Sequence, residues 1–314
     1  MSTSMNRRGF LQGAAGAGAL LSTVAAPAEA KQKRYQEKES LWPLCLNVST
    51  IRPASFADKI GAAAAAGYDA IEPWISDLEQ HEAEGKSLKD AAKEIADKGM
   101  WVPNIIGLWD CMPATEEEFQ ASLPATRERM RRMSEIGSVH AAAIPQPDRT
   151  DFDLKWGADK YRELMRIGRE DYNIKVAFEF IGFFKGVHRT GQAAAVAIDS
   201  DDPEACLIMD TFHLFRGGSG FNGIKMMAPN LIGNFHWNDV PGDVPREEQG
   251  DAHRIYPGDG VLPLVQALKD LKEIGYFGTL SLEMFNRAHW EQDPYEVAKT
   301  GKEKMLEGIR KALA

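Results

Sequence analysis

Four side chains able to hold a divalent cation close four apolar runs of this chain: Glu179 in Val-Ala-Phe-Glu-Phe, Asp210 in Leu-Ile-Met-Asp, His236 in Ile-Gly-Asn-Phe-His and Glu283 in Leu-Ser-Leu-Glu. A charge at the end of a buried strand is costly unless something pairs with it. Four such groups can share one cation if their strands lie side by side. Three carboxylates and one imidazole make a hard, oxygen-rich site that favours Mn²⁺, Mg²⁺ or Co²⁺, and Zn²⁺ accepts the same ligands. Any one of these acids alone reads as a helix cap or an ion-pair partner. Their common place at the ends of β-like runs is what points to a metal enzyme.

The runs that must position these groups recur through the sequence. Strand-like segments at 44–51, 70–74, 101–108, 140–145, 175–181, 205–210, 231–239 and 278–285 alternate with helix-period segments at 87–98, 116–136, 159–171, 262–274 and 294–313. Pro124 is expected to interrupt the second helix, and only 223–228 suggests a turn or two after the sixth strand. Such alternation is the signature of repeated βα units. It predicts an α/β fold, a single-domain (β/α)₈ TIM barrel over residues 41–314, with its active site at the C-terminal ends of the strands. An open doubly wound sheet is the other arrangement with this pattern, but no Gly-x-Gly-x-x-Gly opens a helix after the first strand. Gly217-Gly218-Ser219-Gly220 lacks the Lys-Ser/Thr of a phosphate loop and reads as a flexible loop or lid.

Composition narrows the function classes. The chain has 314 residues, 44% of them hydrophobic, enough for one large domain with a substantial core. Lys and Arg total 37 against 46 acidic residues, and the resulting charge of −9 disfavours nucleic acid and anionic lipid as partners. Cys45, Cys111 and Cys206 show neither metal-motif nor disulfide spacing and read as free core thiols. At the N-terminus, Asn6-Arg7-Arg8-Gly9-Phe10-Leu11-Gln12 precedes a mild Ala/Gly/Leu stretch and Ala28-Glu29-Ala30. That pattern resembles a twin-arginine export signal over residues 1–30, followed by a charged linker at 31–40. A periplasmic location is the expectation, with no stable membrane insertion after cleavage.

Longer motifs carry a resemblance to a known family. Asp210-Thr211-Phe212-His213, Phe235-His236-Trp237-Asn238-Asp239, the run from Arg254 through Pro257-Gly258-Asp259-Gly260, and Gly275-Tyr276 leading into Ser281-Leu282-Glu283 resemble the xylose isomerase-like barrel superfamily over most of the chain. That family includes sugar and sugar-phosphate isomerases and epimerases and inosose dehydratases. The resemblance implies that Glu179, Asp210, His236 and Glu283 bind one divalent cation, Mn²⁺ being the first choice, and that Glu179 and Glu283 are the proton-transferring pair. A metal bound to the carbonyl and adjacent hydroxyl of a keto sugar stabilises the cis-enediolate formed when the α proton leaves. Glutamates on opposite sides can remove that proton and return it to another face or carbon. The outcome is epimerisation or isomerisation of a carbohydrate or cyclitol. If a β-hydroxyl departs instead, the same site is a lyase acting on a keto-inositol, a keto-glycoside or a dehydroshikimate-like acid. Related barrels are often dimers or tetramers, which leaves a homo-oligomer open.

Further residues are candidates for contact with substrate. The resemblance makes His213, three residues beyond Asp210, a contact for a substrate hydroxyl or enolate oxygen. Arg254 can grip an oxygen or an anionic group with two N–H donors, and Asp239 can orient the imidazole of His236 or a substrate group. Glu72 at the end of the second strand, and Trp74, Trp109 and Trp237 near strand ends, are placed to wall a sugar pocket. Lys185 and His188 follow Glu179 in the next loop. An endonuclease IV-like phosphodiesterase uses the same barrel with a larger histidine set, whereas this chain has 7 His and the wrong charge for DNA. A non-catalytic sugar-binding barrel would be expected to have lost one or more of the four ligands.

Overall fold

Apolar runs bounded by polar turns become strands here, and every one is shorter than its run, because the chain leaves the sheet as soon as it clears the neighbouring strand. The computed structural model describes residues 39–314; the export signal and most of the linker predicted at the N-terminus lie outside the described residues. In chain order the elements are β1 (Leu44–Asn47), α1 (Phe56–Ala66), β2 (Ala70–Glu72), α2 (Ile75–Ala83), α3 (Leu88–Asp97), β3 (Asn104–Leu108), α4 (Glu116–Glu135), β4 (His140–Ala143) and α5 (Leu154–Ile167). They continue with β5 (Lys175–Glu179), α6 (Thr190–Asp199), β6 (Cys206–Asp210), α7 (Thr211–Arg216), β7 (Ile232–Trp237), α8 (Leu264–Glu273), β8 (Leu280–Leu282), α9 (Arg287–Trp290) and α10 (Pro294–Leu313).

The eight strands form one parallel sheet in the order β2-β1-β8-β7-β6-β5-β4-β3. Single bridges between Ala70 and Trp101 and between Trp74 and Ile106 join β2 to β3 and round off the barrel. This is the expected (β/α)₈ architecture. Side chains alternate along each strand. Val176, Phe178, Leu207, Met209, Phe235 and Trp237 point outward into the layer shared with the helices. Ala177, Cys206 and Ile208 pack within the barrel. Glu179, Asp210 and His236 therefore top the inward-facing rows, and β6 and β7 pair with Asp210 directly opposite His236.

Several boundaries depart from the sequence expectation, each for a local reason. Residues 48–51 belong to a 3₁₀ turn because the Asn47 side chain accepts the N–H of Ser49 and bends the chain out of β1. Trp74, past the end of β2, keeps a single bridge to Ile106 and is the residue preceding α2, whose Asp77 carboxylate accepts the Trp74 backbone N–H. Helix α4 runs unbroken through Pro124. Its start is held by a capping box in which Thr115 accepts the N–H of Glu118 and Glu118 accepts that of Thr115. Helix α5 begins earlier than expected, at Asp153, whose carboxylate accepts two N–H groups of the first turn. The short α7 starts on Asp210 itself, and 3₁₀ turns follow at Asn222–Met226 and Pro229–Leu231. All three cysteines are buried and unbridged, as expected.

Candidate metal centre and active site

The ends of β5, β6 and β7 and the residue after β8 bring Glu179, Asp210, His236 and Glu283 together, with one ligand atom from each lying within 4.8 Å of the others. All four are buried. His236 organises the group. Its Nε2 lies 2.9 Å from Glu72 Oε1, so Nδ1 is the nitrogen turned toward the carboxylates, 3.1 Å from Glu283 Oε2, 3.4 Å from Glu179 Oε1 and 3.6 Å from Asp210 Oδ2.

Two buried atoms in this cluster, His236 Nδ1 and Glu179 Oε2, have no hydrogen-bond partner. Buried polar atoms are rarely left so. Orphaned donor atoms on residues whose ligand atoms converge within 4.8 Å fit a divalent cation held by these four residues, and the mixture of imidazole and carboxylate suits Mn²⁺, Mg²⁺, Co²⁺ or Zn²⁺ alike.

The charges of the cluster are strongly coupled. Burial pushes the Glu179 carboxyl up to about 7 against the pull of His236. Burial likewise raises Glu283, opposed by His236 and Arg254. Burial acts on Asp210 in the same sense, but the charge of Arg254, together with the hydrogen bond and charge of His236, outweighs it and holds Asp210 well below the ordinary carboxylate range. His236 is driven the other way: burial opposes its charge, yet Glu283 and Glu72 keep its imidazole well above the usual range. A site that concentrates this much negative charge around one nitrogen is built to receive positive charge.

Arg254 supplies part of it. Its buried guanidinium lies between the faces of Phe212 and Phe285, at 4.6 and 5.1 Å from the ring centres. Nη1 donates to Asp210 Oδ2 at 2.6 Å and to Glu283 Oε2 at 2.8 Å, while Nε and Nη2 donate to Asp251. His213 stands beside it, with Nδ1 accepting the Gly182 N–H at 3.2 Å and Nε2 3.2 Å from Arg254 Nη2. Burial, helped by Arg254 and opposed by Asp210, lowers its pKa to about 4, so the ring is neutral near pH 7.

A cavity of about 200 Å³ opens above the cluster. Glu179, Glu283, His213, Arg254 and Trp109 all line it, as the sequence suggested. Five other predicted contacts are placed elsewhere. Glu72 is wholly enclosed: Oε1 accepts from Asn104 Nδ2 at 2.6 Å besides meeting His236, and Oε2 accepts from the Ser281 hydroxyl at 2.5 Å. It orients the imidazole, the task the sequence reading gave to Asp239. Asp239 instead accepts the backbone N–H groups of Val240, Gly258, Gly260 and Leu262 and pins the loop after β7. Lys185 is exposed beside Asp148, and His188 meets the Gly186 carbonyl in its own loop; neither lines the cavity. Trp237 points outward, against Gly308 of α10, where a Cβ would come within 2.9 Å of the indole.

Sequence reasoning missed Asn47 at the end of β1. Its Nδ2 donates to Glu283 Oε1 at 3.1 Å, and its Oδ1 accepts from Trp74 Nε1 at 3.1 Å. A polar residue closing an apolar run was the available signal. Asp251, which fixes Arg254, and the cavity-lining Phe183, Phe184 and Phe285 lie in loops whose course only the fold reveals.

A family model described as the xylose isomerase-like TIM barrel matches residues 60–309. The protein belongs to that family. Among relatives of this xylose isomerase-like barrel, an inosose isomerase of Halalkalibacterium halodurans is 33% identical over 150 residues, covering 48% of this chain and 52% of the relative. A 3-dehydroshikimate dehydratase of Pseudomonas aeruginosa is 25% identical over 265 residues, 82% of this chain and 39% of the relative. The aligned stretch thus spans about half, or less, of these curated relatives. The crystal structure of the IOLI protein with a bound zinc atom superposes with a TM-score of 0.79 at 24% identity, covering 86% of this chain and 98% of that one, a likeness of fold.

Proposed function

We propose that this barrel is a divalent-metal-dependent isomerase or epimerase of a keto sugar or keto cyclitol. The observation that carries the proposal is the placement of Glu179 and Glu283. They come from strands three positions apart, flanking the strands of Asp210 and His236, face one cavity, and lie 3.4 and 3.1 Å from His236 Nδ1. A cation held by Glu179, Asp210, His236 and Glu283 would supply the Lewis acid that polarises the substrate carbonyl and offsets charge developing on its oxygen.

The chain's own residues do the rest. Glu179, with Oε2 free of hydrogen bonds, is placed to take the proton next to the carbonyl. Glu283, steadied through Oε1 by Asn47 and through Oε2 by Arg254, is placed to return it. His213 and Arg254 are placed to orient substrate oxygens from the polar floor of the cavity. The likeness to inosose isomerase supports proton transfer on a cyclitol, and Mn²⁺ is the proposed metal. The 265-residue likeness to 3-dehydroshikimate dehydratase favours a second reading, in which the same proton removal is followed by loss of a β-hydroxyl. On the strength of the Arg7-Arg8 pattern we also propose that the protein is exported by the twin-arginine route.

Product NMR in D₂O with metal-loaded protein and a panel of keto sugars and keto-inositols tests this. Deuterium entering an intact product is expected for isomerisation, and loss of water for elimination. Glu283→Gln should lower kcat by roughly 10²–10⁴. No exchange with any member of the panel would sink the proposal.

A further inference from the structure

The cavity is divided into two chemistries. Its polar groups, Glu179, Glu283, His213, Arg254 and Asp251, lie together on the floor, and most of their hydrogen-bonding capacity is already engaged with one another. The walls are apolar. Trp74, Trp109 and Phe285 form one side, with Trp74 5.8 Å from Trp109 and 5.6 Å from Phe285 between ring centres. Phe183 and Phe184 form another side, 5.7 Å apart in edge-to-face contact, and Phe183 also meets His213 at 5.6 Å.

One keto sugar or cyclitol ring uses few of these surfaces. The whole cavity, aromatic walls included, measures about 200 Å³, below the roughly 300–1,000 Å³ of pockets that enclose drug-sized ligands, so it holds a single ring and a substituent on that ring lies at its open rim. A ring bearing hydroxyls on every side can stack one face on one indole, but its hydroxyl-bearing edges gain little from the remaining aromatic rings. Phe183 is 39% exposed and continues the apolar wall from Phe184 to the surface, a contiguous patch of the kind that marks binding grooves.

The collar is also rigid. A Cβ on Gly182 would come within 2.7 Å of the Gly217 nitrogen, and one on Gly186 within 2.5 Å of the Arg149 carbonyl oxygen. The loop carrying Phe183 and Phe184 is therefore seated against α7 at one end and the segment after β4 at the other. Trp74 additionally walls a second cavity of about 680 Å³ on its far side, lined by the Lys59–Asp77 ion pair and by Ser49, whose buried hydroxyl has no hydrogen-bond partner.

We infer that the substrate carries, on the ring that reacts, a planar aromatic substituent held by the collar of Trp74, Trp109, Phe183, Phe184 and Phe285. This rests on the proton-transfer reading of the same site and specifies its substrate class as an aryl-substituted keto sugar or keto cyclitol. Aromatic rings in offset or edge-to-face contact hold such a group, and the polar floor keeps the reacting carbon over Glu179 and Glu283.

The test compares a phenyl and a methyl glycoside of one keto sugar, with solvent deuterium uptake as the assay. The wild-type protein should prefer the phenyl compound by about tenfold or more in kcat/KM, and Phe183→Ala and Phe184→Ala should each shrink that preference several-fold. Equal rates for the two compounds, or an undiminished preference in both variants, overturn the inference while leaving proton transfer standing. If neither compound exchanges, proton transfer fails on this pair, and calorimetric binding to the metal-loaded protein decides the collar separately. Tighter binding of phenyl than methyl, lost in Phe183→Ala, supports the collar; equal Kd values refute it.

Discussion

His236 is useful as a ligand only if one nitrogen is fixed and the other left open, and Glu72 does the fixing. The carboxylate is fully buried; its pKa would rise on burial alone but is lowered by the His236 charge and by hydrogen bonds from His236, Ser281 and Asn104. Replacing Glu72 by Gln keeps the volume and removes the charge that orients the ring. Metal affinity is then expected to fall roughly 10–100-fold without loss of fold, read by equilibrium metal titration beside far-UV circular dichroism. An unchanged affinity would reduce Glu72 to packing. At this scale the four clustered residues were legible in the sequence because each closes an apolar run. Their support was not. Choosing between Glu72 and Asp239 as the partner of His236 requires knowing that Glu72, 164 residues away, lies across the barrel mouth, whereas Asp239, three residues on, has already turned into its loop.

Elements hold the site through their ends. Asp239, just past β7, gathers four backbone N–H groups with one carboxylate and so sets the course of the loop that runs from Arg254 to the start of α8. The Asp239–Ile255 bridge beside it fixes Arg254 in turn. Asp239→Ala leaves those N–H groups without their acceptor and should cost about 2–4 kcal/mol, since each loses a charge-assisted bond in a partly buried setting. Urea denaturation would measure the loss, and a change below about 0.5 kcal/mol would mean that water replaces the carboxylate. Elements were legible in proportion to their contrast. The strongly two-faced α3 and α8 were anticipated nearly to the residue, with Ser87 and Gly99 marking the ends of α3. Helices α1 and α6 were not, because alanine occupies buried and half-buried positions alike in both, and exposed ones too in α1, and blurs the apolar stripe. Strand ends were set too late for a different reason. An apolar residue that has left the sheet for a 3₁₀ turn, such as Val48 or Ile51, is as buried as one still in it.

The whole barrel feels the cluster, because its members come from four consecutive strands, β5 to β8, half of the sheet. In the folded chain three carboxylates are forced within 4.8 Å of one another and of His236, whereas the unfolded chain keeps them apart. A cation that binds this arrangement and not the unfolded chain must stabilise the fold by RT ln(1 + [L]/Kd), about 2.7 kcal/mol at one hundred times Kd. For a domain of this size that corresponds to a rise in Tm of roughly 5 °C or more. Thermal unfolding of protein stripped by chelator and then given Mn²⁺, Mg²⁺, Co²⁺ or Zn²⁺ should show a concentration-dependent rise with at least one of them. His236→Ala should abolish the dependence. Lys185→Ala, exposed and outside the cavity, should retain it. The comparison separates site binding from general screening of a chain with net charge −9, because screening would stabilise all three proteins equally and vary little among the divalent ions. A Tm indifferent to every one of the four metals would mean that Arg254 and the His236 imidazolium already balance the cluster, and that the four residues are not a metal ligand set.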